Sequence, residues 1–258
     1  MNQTALHDPL QYPFDVRRTG FIVDNGLIVV DDIPILEDID LRHIDWRSHN
    51  DFSFHKDKNF GISDPIAYLT CGSNASATRL TEKLLKCPIP SAYALRIRMP
   101  SWVPTYAATM SFYGAIPATF EYNESQAAEQ FLIVTDSANR KELTASEQRT
   151  GNYDVYTVPP EATEIKISCP LLAFVCRFGA IRIDGLSFHL QEFQPDPHNG
   201  VDQAYILDFV LSHVAPGMTR EEFRRQLSKN AFFQDIRYRI IEKFGTKPNL
   251  PGWEVASL

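Results

Sequence analysis

Apolar and polar positions alternate in short runs through the middle of the chain. From about residue 91 to 190 these runs recur at intervals of roughly ten residues, a spacing typical of consecutive β-strands. Only residues 137–150 in this region have a helical composition. Many short strands with few helices predict a β-barrel or a β-sandwich. The predicted strands lie at residues 93–99, 106–114, 117–123, 129–136, 153–158, 163–169, 171–176 and 181–193.

The segment before this region predicts a hairpin, a strand and a helix. Asn25-Gly26 separates two β-branched runs, which is a strong hairpin signal. Residues 65–70 have the continuous apolar character of a buried strand. Residues 75–85 place Leu80 and Leu84 at helical spacing, and Pro88 is expected to end the helix.

The C-terminal segment changes to a helical pattern. Apolar residues at helical spacing fill residues 204–214, and Thr219 with Glu222 forms a capping box that opens a second helix ending at Gly245. Prolines and an Asn-Gly pair mark the boundary before it. We therefore expect three units, at residues 1–62, 63–195 and 196–258. The C-terminal helices are expected to cover the sheet, with homodimerisation through them as the second interpretation.

Charge and hydropathy narrow the classes of partner. The 258 residues include 25 Lys and Arg against 32 Asp and Glu, a net charge of −7. An acidic chain of this kind has no broad phosphate-binding face, so we expect no nucleic acid partner. The chain does not open with a basic segment followed by an apolar run, and its longest apolar stretches are too short to span a bilayer. These features predict a soluble, cytoplasmic protein that does not bind membranes.

Neither the cysteines nor the histidines have the spacing of a known metal site. The four cysteines are scattered without a Cys-x-x-Cys pair, so reduced thiols and no structural zinc are expected. His43, His49 and His55 are spaced by six, which matches neither one helix face nor a common ligand motif. We expect no metal and no cofactor, and a metal site in this loop is the alternative.

A short polar turn joins the strand at residues 65–70 to the helix that follows. Its residues are Cys71, Gly72, Ser73 and Asn74. The N-terminus of a helix carries backbone N–H groups without partners and a partial positive charge, so this turn is suited to bind a carboxylate or a developing oxyanion. Gly72 would let the ligand approach the backbone closely. The alternative is a plain corner in which Ser73 or Asn74 caps the helix.

Three segments in order resemble the gamma-glutamyl cyclotransferase-like superfamily. They are "AYLTCGSNAS", then "SFYGAIPATF", then "FLIVTDSANRKELTASEQRTGNY". The Gly-Ser-Asn turn, the aromatic-Gly pair at Tyr113, the Ala118-Thr119 strand and an acidic helix residue followed by a Tyr are similar to the motifs of that family. The resemblance covers roughly residues 66–190, a little under half of the chain.

The resemblance implies an α+β fold, a small mixed β-barrel with flanking helices. To this the chain would add an N-terminal β extension and a C-terminal helical extension. It implies an enzyme that acts on a gamma-glutamyl amide, amine or peptide as its small-molecule partner and releases 5-oxoproline by cyclisation. By resemblance, Glu147 is the general acid/base. By the same resemblance, the substrate-binding residues are Cys71, Gly72, Ser73, Asn74, Tyr113 and Tyr153.

This sequence departs from the family pattern at two positions. Cys71 stands where the family usually has a Tyr, and Gln148 follows Glu147 where the family usually has a Gly. Cys71 is either a small residue at a strand end or a nucleophile with a lowered pKa. Glu147 is either catalytic or a solvated carboxylate on a helix face, and Tyr113 and Tyr153 either line the pocket or belong to the core.

Two other functions fit the same residues. An amide hydrolase on this fold would use water in place of the substrate's amine and release free glutamate. A binding or interaction module would keep the pocket and have no chemistry. A serine hydrolase is not supported, because the Gly185-Leu186-Ser187 segment lacks the final Gly of a nucleophile elbow.

Overall fold

A computed structural model describes residues 8–37, 39–46 and 62–256. The described chain is a mixed α+β fold. Short 3-10 turns connect several of the regular elements, including Gly72–Ala75 and Ser137–Asn139. The helices are α1 Ala77–Leu84, α2 Arg140–Gln148, α3 Gln203–Val214, α4 Arg220–Gln226 and α5 Asn230–Phe244. The strands are β1 Gly20–Asp24, β2 Leu27–Ile33, β3 Pro65–Thr70, β4 Ala92–Tyr106, β5 Ala118–Asp136, β6 Tyr153–Thr157, β7 Leu171–Cys176, β8 Arg182–Ile183, β9 Leu186–Ser187 and β10 Glu254–Val255.

The described strands form one large sheet in the order β10-β6-β7-β3-β5-β4-β1-β2, and β8 and β9 form a separate pair. All neighbours in the large sheet are antiparallel except β3 and β7, which are parallel. The first and last strands of this order do not pair with each other. The predicted barrel is therefore wrong, since the sheet is open.

Both faces of the sheet are buried, which explains the continuous apolar runs of its central strands. On β3, Ile66 and Tyr68 enter one hydrophobic cluster, whereas Ala67 and Leu69 enter another on the opposite face. Successive side chains of a strand point to opposite faces, so an element covered on both sides needs apolar residues at every position. The α3 and α5 helices cover the first face and contribute Ile206, Leu207, Val210, Leu211, Ile236 and Ile240 to its cluster.

The predictions are confirmed for elements that depend on residues close together in the sequence. The hairpin around Asn25-Gly26 is present as β1 and β2, and the strand at residues 65–70 and the helix after it are both present. The β1 strand continues the sheet beside β4, so part of the predicted N-terminal unit belongs to the same sheet as the centre of the chain. The division into three units stays a prediction.

Several predicted element boundaries are wrong, and those of the strands are wrong because long-range pairing decides them. The strands expected at residues 117–123 and 129–136 are one strand, β5, which pairs with β4 from Ala92 opposite Thr135 to Tyr106 opposite Ala118. Residues 107–117 and 163–169 form loops with isolated bridges, not strands. The helix expected from Thr219 to Gly245 is two helices, α4 and α5.

Among the described residues, no helix has both the length and the apolarity needed to cross a membrane.

Candidate functional site

A cavity of about 190 Å³ opens where β3 ends and runs between α1, α2 and the start of β5. This volume is below the range of roughly 300–1,000 Å³ usual for drug-sized ligands, so the cavity suits a small molecule. Six of the seven residues predicted for the site line this cavity, and Gly72 lies directly behind its wall. The six are Cys71, Ser73, Asn74, Tyr113, Glu147 and Tyr153.

The predicted corner led directly from the strand to the helix, whereas the structure has a 3-10 turn between the two. Residues Gly72–Ala75 form a 3-10 turn, and α1 begins only after Ser76, whose side chain accepts from Arg79 N–H. Ser76 is therefore the N-cap, not Ser73 or Asn74. The N–H groups of Gly72 and Ser73 are the first of the 3-10 turn, and such leading N–H groups have no acceptor within their own turn. Of these two residues Ser73 lines the cavity, so its N–H is the backbone donor that the turn offers to a ligand.

Position 72 requires a glycine for two reasons, its backbone conformation and the atoms packed around it. Its φ is +70°, and a Cβ added there would lie 2.0 Å from the Tyr12 hydroxyl oxygen and 2.8 Å from the Ala118 Cβ. A side chain at this position would push Tyr12 and β5 away from the turn, because neither neighbour is a flexible chain end. The small residue therefore allows the N-terminal segment and the sheet to meet at the cavity wall.

We expect Gly72→Ala to lower the free energy of unfolding by about 2–4 kcal/mol, from strain at positive φ together with overpacking. Gly151→Ala is the matched control, since Gly151 has a φ of +68° and nothing within 4 Å of an added Cβ. The control should cost only about 1 kcal/mol, the strain at positive φ alone. Urea unfolding midpoints measure both; equal losses would mean that the contact with Tyr12 has no effect.

Lys83 joins the turn to the acidic helix residue. Its ammonium donates to the Asn74 Oδ1 and to the Glu147 Oε1. The two charged side chains are only 16% and 14% exposed, so solvent screens their attraction less than on an open surface. Lys83 lies in the last turn of α1 and Glu147 in the last turn of α2. The ends of these two helices thus bring the predicted acid and the predicted loop to one point.

Two tyrosines hold the first residue of β5 from opposite sides. The Ala118 N–H donates to the Tyr12 hydroxyl at 2.7 Å, and the Tyr153 hydroxyl donates to the Ala118 carbonyl at 2.8 Å. Burial raises the pKa of both phenols well above the usual value, so both stay protonated at neutral pH. Tyr153 therefore lines the cavity and also positions the strand beside it.

The Cys71 side chain is partly buried between the turn and the sheet and lines the cavity. Burial, with a further contribution from the charge of Glu147, raises the pKa of Cys71 well above its usual value. Its Sγ lies 3.6 Å from the Thr119 carbonyl oxygen, to which the thiol donates. A thiol in this environment is protonated and is a poor nucleophile. The interpretation of Cys71 as a small residue at a strand end is favoured.

Tyr113 forms part of an aromatic group at the cavity wall. Its ring lies 5.6 Å from that of Phe14 and 5.1 Å from that of Phe112, measured between centroids. It is 6% exposed, and burial raises the pKa of its phenol. Tyr113 both lines the cavity and packs against the hydrophobic cluster, so the two alternatives stated from the sequence are not exclusive.

The cavity is more basic than the chain as a whole. Its lining includes Arg79, Lys83, Lys86 and Arg149 but only two carboxylates, those of Glu82 and Glu147. Arg79 pairs with Glu82 and Lys83 with Glu147. Within the part of the chain that the structure describes, Lys86 and Arg149 form no ion pair. An acidic protein thus presents a cavity whose charge favours an anionic ligand.

The described residues contain no group of three or more His, Cys, Asp or Glu side chains placed to hold a metal ion. His49 and His55, part of the alternative metal site, lie outside the described residues.

Sequence patterns did not identify Lys83 and Tyr12 as site residues. Lys83 lies three positions after the buried Leu80, at the edge of the apolar stripe of α1, where a long side chain is expected to reach beyond the helix. That position could have suggested a role. Tyr12 directly follows a short 3-10 segment, Pro9–Gln11, far from the cavity in sequence, and no local pattern points to its contact with Gly72 and Ala118.

Comparisons with known proteins give one distant match. No protein-family model and no curated protein matches the chain. A solved structure described as a gamma-glutamyl cyclotransferase aligns with 68% of this chain and 99% of its own, with 15% sequence identity and a TM-score of 0.34. A TM-score this low does not establish a common fold.

Proposed function

We propose that this protein cleaves a gamma-glutamyl amide by intramolecular cyclisation and that Glu147 acts as the general acid/base. The observation that carries the proposal is the position of Glu147 in the same cavity as the Cys71–Asn74 turn, with Lys83 donating to both. The sequence motifs that resemble those of gamma-glutamyl cyclotransferases independently suggest the same two groups. The amide and amine parts of a small substrate fit the size and polarity of this cavity.

Counted from the neutral amine, the reaction forms one bond, breaks one bond and moves one proton. An ammonium must first lose a further proton, and the released amine takes up one proton in its place. The substrate's amine nitrogen attacks its own gamma carbonyl carbon and closes a five-membered ring. The bond to the leaving nitrogen then breaks, which gives 5-oxoproline and a free amine. Holding both reacting groups in one orientation can contribute roughly 7–11 kcal/mol to lowering the barrier. Glu147 takes the proton from the attacking amine and gives it to the leaving nitrogen, a contribution of about 10²–10⁴-fold in rate.

The Gly72–Ala75 turn supplies the electrostatic part of the mechanism. As the bond forms, negative charge develops on the carbonyl oxygen, and the leading N–H group of Ser73, a residue that lines the cavity, is a donor suited to stabilise it. The tyrosines that hold Ala118 keep the opposite wall in place. Such groups are fixed before the substrate arrives, so little reorganisation is needed during the reaction.

A direct test is a panel of gamma-glutamyl compounds incubated with the protein and analysed by mass spectrometry. Release of 5-oxoproline supports cyclisation, and free glutamate would instead identify an amide hydrolase. Binding without either product would identify a binding module.

Lys83 occupies one of the positions that the substrate's amine can take. An amine that gives its proton to Glu147 has to lie within hydrogen-bond distance of that carboxylate, and the Lys83 ammonium has this position beside the Glu147 Oε1. An amine that binds to this oxygen requires Lys83 to move aside. A lysine can do so at small cost, since its stem has several rotatable bonds.

We expect Lys83→Met to strengthen binding of gamma-glutamylmethylamide about five- to tenfold, because an internal competitor for the amine position is removed. A change of tenfold corresponds to about 1.4 kcal/mol. Methionine keeps the length and packing of the stem without the charge. Calorimetric titration measures the affinity, and the fall in KM for 5-oxoproline release should match it.

The N-acetylated compound is the control ligand, since it cannot place an ammonium beside Glu147. Its affinity should not change in the Lys83→Met variant. Weaker binding of both compounds would contradict the competition and would mean that Lys83 binds another group of the substrate.

A further inference from the structure

An open groove of about 410 Å³ continues from the mouth of the cavity toward the C-terminal helices. Phe112, Arg149 and Thr150 line both the cavity and the groove. We propose that the groove is a subsite for the leaving part of the substrate and that it takes a group ending in a carboxylate. This inference rests on the proposed cyclisation. The remaining residues that line the groove are Leu227, Ser228, Asn230, Phe233, Gln234 and Arg237.

The charge of the groove selects an anion. Two charged residues of the described chain line the groove, and both are arginines, Arg149 and Arg237. The other lining residues include amides and hydroxyls. An arginine has five donors in a planar fork that matches the two oxygens of a carboxylate. The groove therefore offers two positively charged donor groups, of which Arg149 also lines the cavity.

Arg149 contacts an aromatic ring and lines both the cavity and the groove. Its guanidinium carbon lies 5.2 Å from the centroid of the Phe112 ring. Stacking on a ring uses the face of the guanidinium and leaves its N–H edge available for an acceptor. No described carboxylate forms an ion pair with Arg149, and the Phe112 side chain is 46% exposed beside it.

Arg237 is held in position by the same segment that lines the cavity. Its Nε and Nη2 donate to the Asn152 Oδ1 at 3.0 and 2.6 Å, and Thr109 donates to that oxygen at 3.2 Å. Asn152 lines the cavity, so one carboxamide links the wall of the cavity to the arginine of the groove. The remaining N–H groups of Arg237 stay available for a ligand.

The C-terminal region also positions Phe112. Gly114 adopts a φ of +91°, and a Cβ there would lie 2.4 Å from Leu227 Cδ1. The turn that carries Phe112 thus packs closely on the segment between α4 and α5, and the groove depends on the C-terminal extension for one of its sides. A cavity of about 190 Å³ is small, and the groove that adjoins it offers a path for a longer leaving part.

The test compares gamma-glutamylalanylalanine with its C-terminal carboxamide, which has nearly the same shape without the charge. The wild-type protein should prefer the acid about tenfold in kcat/KM, mainly through KM, since one charge-assisted contact is at stake. Arg149→Gln should remove this preference, so that the acid and the carboxamide have equal kcat/KM. Arg225→Gln is the control, since it removes the same charge at an exposed position on α4. It should leave kcat/KM for both compounds unchanged.

Calorimetric titration of the same two compounds separates the inference from the proposed reaction. Tighter binding of the acid that is lost in Arg149→Gln supports the subsite even if no 5-oxoproline forms. Equal binding of acid and carboxamide, unchanged by Arg149→Gln, overturns the subsite and leaves the proposed reaction standing. Failure to bind or cleave either compound overturns both.

Discussion

Glu147→Gln should lower kcat for 5-oxoproline release by about 10²–10⁴-fold, because the amide that replaces the carboxylate cannot accept the proton of the attacking amine. The folded structure should be retained. Glutamine has the same shape, and its carbonyl oxygen can still accept from the Lys83 ammonium, which now donates to Glu147. Initial rates with gamma-glutamyl substrates measure the effect on kcat, and thermal unfolding verifies that the variant is folded.

Glu142→Gln is the matched control on the same helix. Five positions separate the two residues, which at 3.6 residues per turn places them about 140° apart around α2. Glu142 is exposed and does not line the cavity, whereas the Glu147 side chain is 14% exposed and does. We expect the control to keep its rate within twofold. Near-wild-type turnover by the Glu147 variant would refute the assignment of the proton-transfer role.

Arg96→Met should lower the free energy of unfolding by about 3 kcal/mol. Arg96 lies at the centre of β4 with no exposed side-chain surface, and it pairs with Glu129 at 2.7 Å. It also donates to the carbonyl oxygens of Arg17 and Glu192, so one guanidinium joins the N-terminal segment, the sheet and the segment before the C-terminal helices. Removing one partner of a buried ion pair leaves the other charge unpaired and costs about 3–5 kcal/mol.

Arg98→Met is the control two residues along the same strand. Arg98 is 43% exposed and lies 3.8 Å from a carboxylate oxygen of Glu37, which is 71% exposed. Exposed pairs of this kind contribute close to nothing, so the urea midpoint of the control should remain near that of the wild type. Equal midpoints for the two variants would show that the buried contacts of Arg96 do not stabilise the fold as we expect.

The sequence predicted the elements whose conformation depends on nearby residues. Asn25-Gly26 closes the hairpin at the expected place, and the Thr219 side chain accepts from Glu222 N–H as the capping box requires. These features are local because a turn or a cap involves residues two to four positions apart. Patterns of this range also placed Glu147 on a helix and Gly72 on a turn after a strand.

The larger errors concern pairing over long distances. Residues 117–136 were predicted as two strands because polar residues interrupt the apolar run, yet they pair with β4 as one strand. Residues 163–169 alternate as a strand would, but form only an isolated bridge between Lys166 and Asp40. Whether a segment joins a sheet depends on a partner elsewhere in the chain, and alternation alone does not identify that partner.

The sequence alone thus determined the turn at Cys71–Asn74, the helix that carries Glu147 and most of the other elements. Only the tertiary structure decided that the sheet stays open, that Tyr12 closes the cavity wall behind Gly72, and that Lys83 links Asn74 to Glu147. The physical reason is the distance in sequence between the residues that interact. Turns and helix caps arise from neighbouring residues, whereas a cavity forms where segments remote in sequence are brought together by burial of a shared core.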